Sequence, residues 1–127
     1  IIIIVYPHFY LIMNLYEHTI IARQDMGSKQ LEQITEKYTK IIEKNNGKIV
    51  KTENWGLLNL SYLIKKNKKG NYLHFKIEGP NNTVKELEKN EKLDKNLLRY
   101  ATIKVRKFDL ETTYFKNEAK DIEKKSE

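Results

Sequence analysis

The sequence contains no cysteine, and only five glycines and two prolines in 127 residues. Without thiols there is no disulfide framework, no thiolate nucleophile and no cysteine-zinc site, which is compatible with a reducing compartment. Scarce glycine and proline leave little room for long loops, and the length points to one domain. No G-x-S-x-G is present, and no glycine-rich phosphate loop precedes a helix. The three histidines, His8, His18 and His74, lack metal-ligand spacing. Acid pairs such as Glu86 and Glu88 lie among lysines and read as a solvated helix face. No catalytic constellation is recognisable, so the chain reads as a non-enzyme without metal or cofactor.

A long hydrophobic run is also missing. The opening "IIIIVYPHFYLI" is apolar, but a membrane helix needs about 20 such residues. It lacks the preceding basic residues and the small-residue cleavage site of a secretory signal. Met13 directly precedes the first well-patterned segment. Residues 1–12 are therefore expected to lie upstream of the natural start or to form an accessory extension, with an extra strand as the competing reading.

What the chain has is positive charge. The formal net charge is +7, and residues 107–127 carry about −1, so residues 1–106 hold about +8. A basic folded part suggests a polyanionic partner, nucleic acid ahead of an acidic protein or a membrane. A generally lysine-rich surface is the plainer alternative.

The elements follow from periodicity. "LYEHTIIA" (15–22) is β-branched and aromatic and reads as a strand. Asp25 or Ser28 is available to cap a helix whose apolar face is Leu31, Ile34, Tyr38, Ile41 and Ile42. Gly47 stands where a helix end favours a positive φ. Residues 48–66 read as a long strand with a bulge at Gly56. "NKKG" (67–70) reads as the hairpin connection and "NYLHFKIEG" as the returning strand. Pro80, Asn81 and Asn82 open a shorter helix with Val84 and Leu87 inward. "EKLDKNLLRY" is a connector, and "YATIKVRKF" a last strand. The order is βαββαβ. This predicts an α+β, ferredoxin-like fold, a four-stranded antiparallel sheet with two helices on one face and the other face open. The expected organisation is an extension (1–12), an RNA-binding domain (13–107) and a mixed-charge flexible tail (108–127).

The stretch "KKNKKGNYLHFKIEG" (65–79) superficially matches the aromatic signature of an RNA-recognition domain. Its aromatic is one position late after Lys69-Gly70, and a shift of one residue changes sheet face. Leu73, Phe75 and Ile77 are expected against the helices, with Tyr72, His74 and Lys76 on the open side. Some ferredoxin-like domains hydrolyse acyl phosphates with an arginine in a glycine-rich loop after the first strand. Arg23 follows that strand here, but no such loop does.

Four segments in order, "LYEHTIIARQD", "GKIVKTENWG", "LSYLIKKNKKGNY" and "LLRYATIKV", together with their spacing, resemble the bacterial small-subunit ribosomal protein S-six family. The resemblance covers about residues 14–107, and the first segment looks most like the alphaproteobacterial branch. Family members typically begin where Met13 stands. The resemblance implies the ferredoxin-like fold and a structural role in the small ribosomal subunit in the cytoplasm. It also implies binding to the central domain of small-subunit ribosomal RNA as a heterodimer with ribosomal protein S-eighteen. No enzymatic activity, cofactor or membrane is implied, and the isolated chain is expected to be a monomer. A free module that binds single-stranded RNA is the alternative.

Many members place two basic residues soon after the Trp-Gly and a proline after the Ala-Tyr. Here Leu57, Leu58 and Asn59 follow, and Leu63 stands after Ser61-Tyr62. The candidate RNA contacts are therefore Arg23, Lys65, Lys66, Lys68, Lys69, Arg99, Lys104 and Arg106. Lys104 and Arg106 also read as the polar face of a strand alternating with Ile103 and Val105. The candidate contacts for the protein partner are Trp55, Tyr72, His74, Tyr114 and Phe115. Trp55 reads equally as a core tryptophan beside the bulge.

Overall fold

The computed structural model describes residues 13–110; the expectations for residues 1–12, Tyr114 and Phe115 lie outside them. The elements are β1 (Asn14–Arg23), α1 (Ser28–Lys44), β2 (Lys48–Ile64), β3 (Asn67–Gly79), α2 (Asn81–Leu93) and β4 (Leu97–Val105). The strands form one antiparallel sheet in the order β2-β3-β1-β4. This is the expected ferredoxin-like arrangement.

Alternation along β1 sends Tyr16, His18, Ile20 and Ala22 to the helix side, where all four are buried. Opposite them on β3 stand Ile77, Phe75 and Leu73. Leu31, Ile34, Tyr38 and Ile42 of α1 and Val84 and Leu87 of α2 close over this layer. Each such side chain, fully withdrawn from water, contributes about 1.5–3 kcal/mol before the entropy of ordering is subtracted.

Several boundaries differ from the sequence expectation. Gly27, rather than Asp25 or Ser28, occupies the N-cap of α1, and its N–H donates to Gln30 Oε1 at 3.0 Å. At the other end, Asn46 takes the positive φ of 66° expected of Gly47. Gly47 is needed for another reason. A Cβ there would stand 2.5 Å from Thr83 Cγ2 and 2.9 Å from Ile42 Cγ2. Helix α2 continues to Leu93, so Glu91 belongs to the helix and the connector shrinks to residues 94–96. Asp94 ends it, accepting hydrogen bonds from the Asn96 N–H and the Tyr38 hydroxyl.

Gly56 is the expected bulge, with φ 85° and a register shift between Asn54 and Gly56. The hairpin turn lies earlier than expected. Ile64 pairs with Asn67, and Lys65 and Lys66 form the turn with φ of 46° and 67°. Positive φ at both central residues is the primed geometry that matches strand twist. Lys68 and Lys69 thus belong to β3. The buried Asn67 side chain donates to the carbonyls of Ile64 and Lys65 and accepts from the Gln24 N–H. Gln24 Oε1 in turn accepts from the N–H groups of Lys68 and Lys69. These bonds pin the hairpin arm to the end of β1.

Candidate RNA and partner surfaces

The sheet register sorts the basic candidates into two places. Arg23 ends β1 opposite Gly70, where β3 leaves the hairpin arm carrying Lys65, Lys66, Lys68 and Lys69. Arg99, near the start of β4, pairs with Ile21 at this same end. All six are exposed. Lys65 and Arg99 line one cleft of about 400 Å³ with Lys92 from the last turn of α2. Glu91 and Asp94 also border it, so the cleft is basic at its rim and acidic toward the helix. Arg23 is held by Asp25 at 3.3 Å, a solvent-exposed pair that leaves the guanidinium accessible.

Lys104 and Arg106 stand elsewhere. Lys104 pairs with Tyr16, five residues from the Ile21–Arg99 pair, roughly 17 Å at strand rise. Arg106 lies past the end of β4. Lys104 is also on the helix side of the sheet, whereas Arg99 is on the open side, because an odd number of residues separates them along a strand that is in unbroken register with β1. Both residues are exposed.

The open face behaves differently from its expectation. Tyr72 lies there opposite Ile21 and Gly56, away from Leu73 and Phe75, and is half-buried. His74 and Lys76 share the face but are only 6% and 1% exposed. His74 is therefore not offered to a partner. Its ring meets Thr19 Oγ1 at 2.7 Å and lies flat beneath Trp55. Trp55 is neither a core residue nor fully presented: it is half-buried on the open side. Lys76 Nζ donates to Glu17 at 2.8 Å and has Glu53 at 4.0 Å. Residues 108–110 complete the cover. The Phe108 ring faces Lys76 Nζ at 5.9 Å, and Lys51 Nζ donates to the Leu110 carbonyl at 3.1 Å.

These surroundings set the protonation of the face. The Lys76 hydrogen bond, with that ammonium's charge, holds the Glu17 carboxyl below its usual range against the opposing effect of burial. Burial pushes the His74 imidazole down, overcoming its contact with Glu17. The centre of the face is thus a neutral imidazole beside two carboxylates, Glu17 and Glu53, that face two ammonium groups, Lys76 and Lys51.

Two residues escaped the sequence reading. Lys92 shares the cleft with Lys65 and Arg99, and its signal was only a lysine in a helix's last turn. Tyr62 is 66% exposed on the hairpin arm, and the run of lysines after it drew attention away. A wider groove of about 730 Å³ between α1 and β2 is bordered by Glu32, Glu36 and Glu43 and is unsuited to a polyanion. Among the described residues no group of three His, Cys, Asp or Glu could hold a metal. Nor is any of their helices long and apolar enough to cross a membrane.

Residues 15–104 match the family model of Ribosomal protein S6. A small ribosomal subunit protein bS6 from Pelagibacter ubique is 69% identical over 103 residues, 81% of this chain and 85% of that protein. The corresponding Caulobacter vibrioides protein is 46% identical over 99 residues, 78% of this chain and 79% of its own. A crystal structure of ribosomal protein S6 from Thermotoga maritima superposes with a TM-score of 0.70 at 25% identity, covering 90% of this chain and 99% of that one. Such relatives are structural proteins and not enzymes, and they work in the bacterial cytoplasm. The chain belongs to the ribosomal protein S6 family and is a constituent of the small ribosomal subunit.

Proposed function

We propose that this chain binds the central domain of small-subunit ribosomal RNA with the basic end of its sheet. Ribosomal protein S-eighteen would be held on the open face, around Trp55 and Tyr72. The observation that carries the RNA reading is the convergence of Arg23, Lys65, Lys66, Lys68, Lys69 and Arg99 at one end, with Lys92 beside Lys65 and Arg99. Lysines and arginines so placed neutralise phosphates and orient the protein, releasing counterions. RNA shape then supplies most of the selectivity, because a helical RNA presents few base edges to side chains. Lys104 and Arg106, at the other end, are assigned a second and smaller contact. His74 acts from beneath Trp55 rather than as a contact of its own. In isolation the chain is a monomer: the edge strand β2 is interrupted by the Gly56 bulge and the edge strand β4 carries the exposed charges of Arg99 and Lys104, both unfavourable for edge pairing.

The test is a salt titration of binding to a central-domain RNA fragment with S-eighteen present. Replacing Lys65, Lys66, Lys68 and Lys69 with glutamine should weaken binding and flatten log K against log salt by about 0.7–0.9 for each phosphate that is no longer neutralised. An unchanged slope would show that these lysines are solvated only. Sedimentation of the isolated chain checks the monomer.

A further inference from the structure

The hairpin arm carries an exposed aromatic alongside its lysines. Between the Asn59–Lys69 and Ile64–Asn67 pairs, residues 60–63 of β2 stand opposite Lys68 alone. This excess of residues on one strand bulges β2 outward. Tyr62 and Leu63 are consequently 66% and 61% exposed. With Asn59, Leu60 and Lys68 they line a shallow concavity of about 340 Å³.

We propose that Tyr62 is a stacking site for an unpaired nucleotide of the bound RNA, with Leu63 beside the base and Lys68 on its phosphate. The inference rests on the RNA-binding reading above and adds to it a base contact. Its grounds are chemical. The concavity includes a lysine, and Lys65, Lys66 and Lys69 are exposed nearby on the same arm, so the local field selects a polyanion. A flat aromatic face beside basic groups suits a nucleobase, since every base has a π-face. A duplex hides those faces, so the nucleotide must be unpaired. The arm is also held in place before binding. Asn67 and Gln24 fix its backbone through the bonds at Ile64, Lys65, Lys68 and Lys69. An arm ordered on both sides of the bulge has less backbone freedom to lose when a base stacks on it. Tyr72 lacks these properties, being half-buried between Ile21 and Gly56.

The experiment uses the full chain, the partner protein and a central-domain ribosomal RNA fragment that keeps its unpaired junction nucleotides. Tyr62→Phe should bind within about twofold of the native chain, whereas Tyr62→Ala and Tyr62→Leu should lose about 5- to 100-fold. The salt slope of Tyr62→Ala should be unchanged, because no phosphate contact is removed. Abasic substitution along the unpaired nucleotides should find one position that weakens the native chain but not Tyr62→Ala. Equal RNA affinity of native chain and Tyr62→Ala would overturn the stacking site and leave RNA binding intact. Loss of partner-protein affinity with RNA affinity preserved would overturn it in favour of a protein contact. Failure of the native chain to bind the fragment even at low salt would instead overturn the RNA-binding reading itself.

Discussion

The Trp55 indole lies flat on the His74 imidazole, with ring centroids 4.7 Å apart and planes within 11°. Trp55 is the single tryptophan of the chain, so its emission reports on this one contact. Around His74 stand Thr19, Glu17, Lys76 and Glu53. Burial lowers the imidazole below its ordinary 6.5 despite the two carboxylates. The folded state thus prefers the neutral ring. Between 6.5 and the lower folded value, the unfolded chain binds the extra proton and the folded chain does not. The His74 contribution to stability should fall as pH drops from 6.5 through that window and level off below it, with the lowered Glu17 adding a further loss only below 4.5. A fluorescence titration should show Trp55 quenching by the imidazolium with a midpoint below 6.5. His74→Gln should remove the transition; a midpoint at or above 6.5 would contradict the assignment.

A second pair is buried on the other side of the sheet. His18 Nε2 lies 2.7 Å from the Glu91 carboxylate, and His18 Nδ1 lies 2.6 Å from Thr102 Oγ1. The Thr102 hydroxyl donates to Glu88, so His18 Nδ1 must donate to Thr102. One further proton is left between His18 and Glu91, and the group ties β1, β4 and α2 together. His18 is 0% and Glu91 2% exposed. Removing one partner leaves an uncompensated buried polar or charged group, so His18→Leu or Glu91→Leu should each lose about 3–5 kcal/mol. The double variant should lose clearly less than the sum, and urea denaturation measures all three. Additive losses would mean that the two side chains act independently.

Much of the fold was legible because periodicity survives tertiary packing. Leu31, Ile34, Tyr38 and Ile42 repeat at helical spacing, and Leu73, Phe75 and Ile77 alternate, and both sets are in the core. The misreadings share a cause: the deciding contact comes from far along the chain. Propensity favours glycine over lysine at positive φ, yet Lys65 and Lys66 make the turn because Asn67 and Gln24 hold it there. Alternation marks His74 and Lys76 as polar-face residues, which is true of their direction. Burial was invisible because Glu17, Trp55 and Phe108 come from other segments. The basic candidates were likewise legible one by one. Their grouping needed the register, which sets Arg99 beside the end of β1 and the arm and puts Lys104 and Arg106 at the far end of β4.

Gly47 should tolerate no side chain unless Thr83 is shortened. A Cβ at Gly47 would press on Thr83 Cγ2 and Ile42 Cγ2. Thr83 cannot easily retreat, since its hydroxyl donates to the Asn45 carbonyl at 2.6 Å and it is fully buried. Gly47→Ala should therefore lose about 1–3 kcal/mol through overpacking. Adding Thr83→Ser removes the offending methyl, keeps the hydroxyl and should recover part of the loss. Thermal melts of the two variants check this; no recovery would place the strain at Ile42 instead.

The turn at Lys65 and Lys66 sets local stability against charge. Both residues hold positive φ, 46° and 67°, where a Cβ is disfavoured by about 1–2 kcal/mol. Asn-Gly is the preferred pair for a primed two-residue turn. The double change Lys65→Asn, Lys66→Gly should thus raise stability by about 1 kcal/mol and shift the melting temperature upward. It also removes two cations from the arm, one of them at the cleft shared with Arg99 and Lys92. Binding to the central-domain RNA should weaken, and the salt slope should flatten by about 0.7–0.9 for each lysine that touches a phosphate. The two readouts separate the roles cleanly. A higher melting temperature with an unchanged salt slope would mean that the turn lysines meet water rather than RNA. A lower melting temperature would mean that the turn depends on these lysine side chains for packing, and that the positive φ values carry no relievable strain.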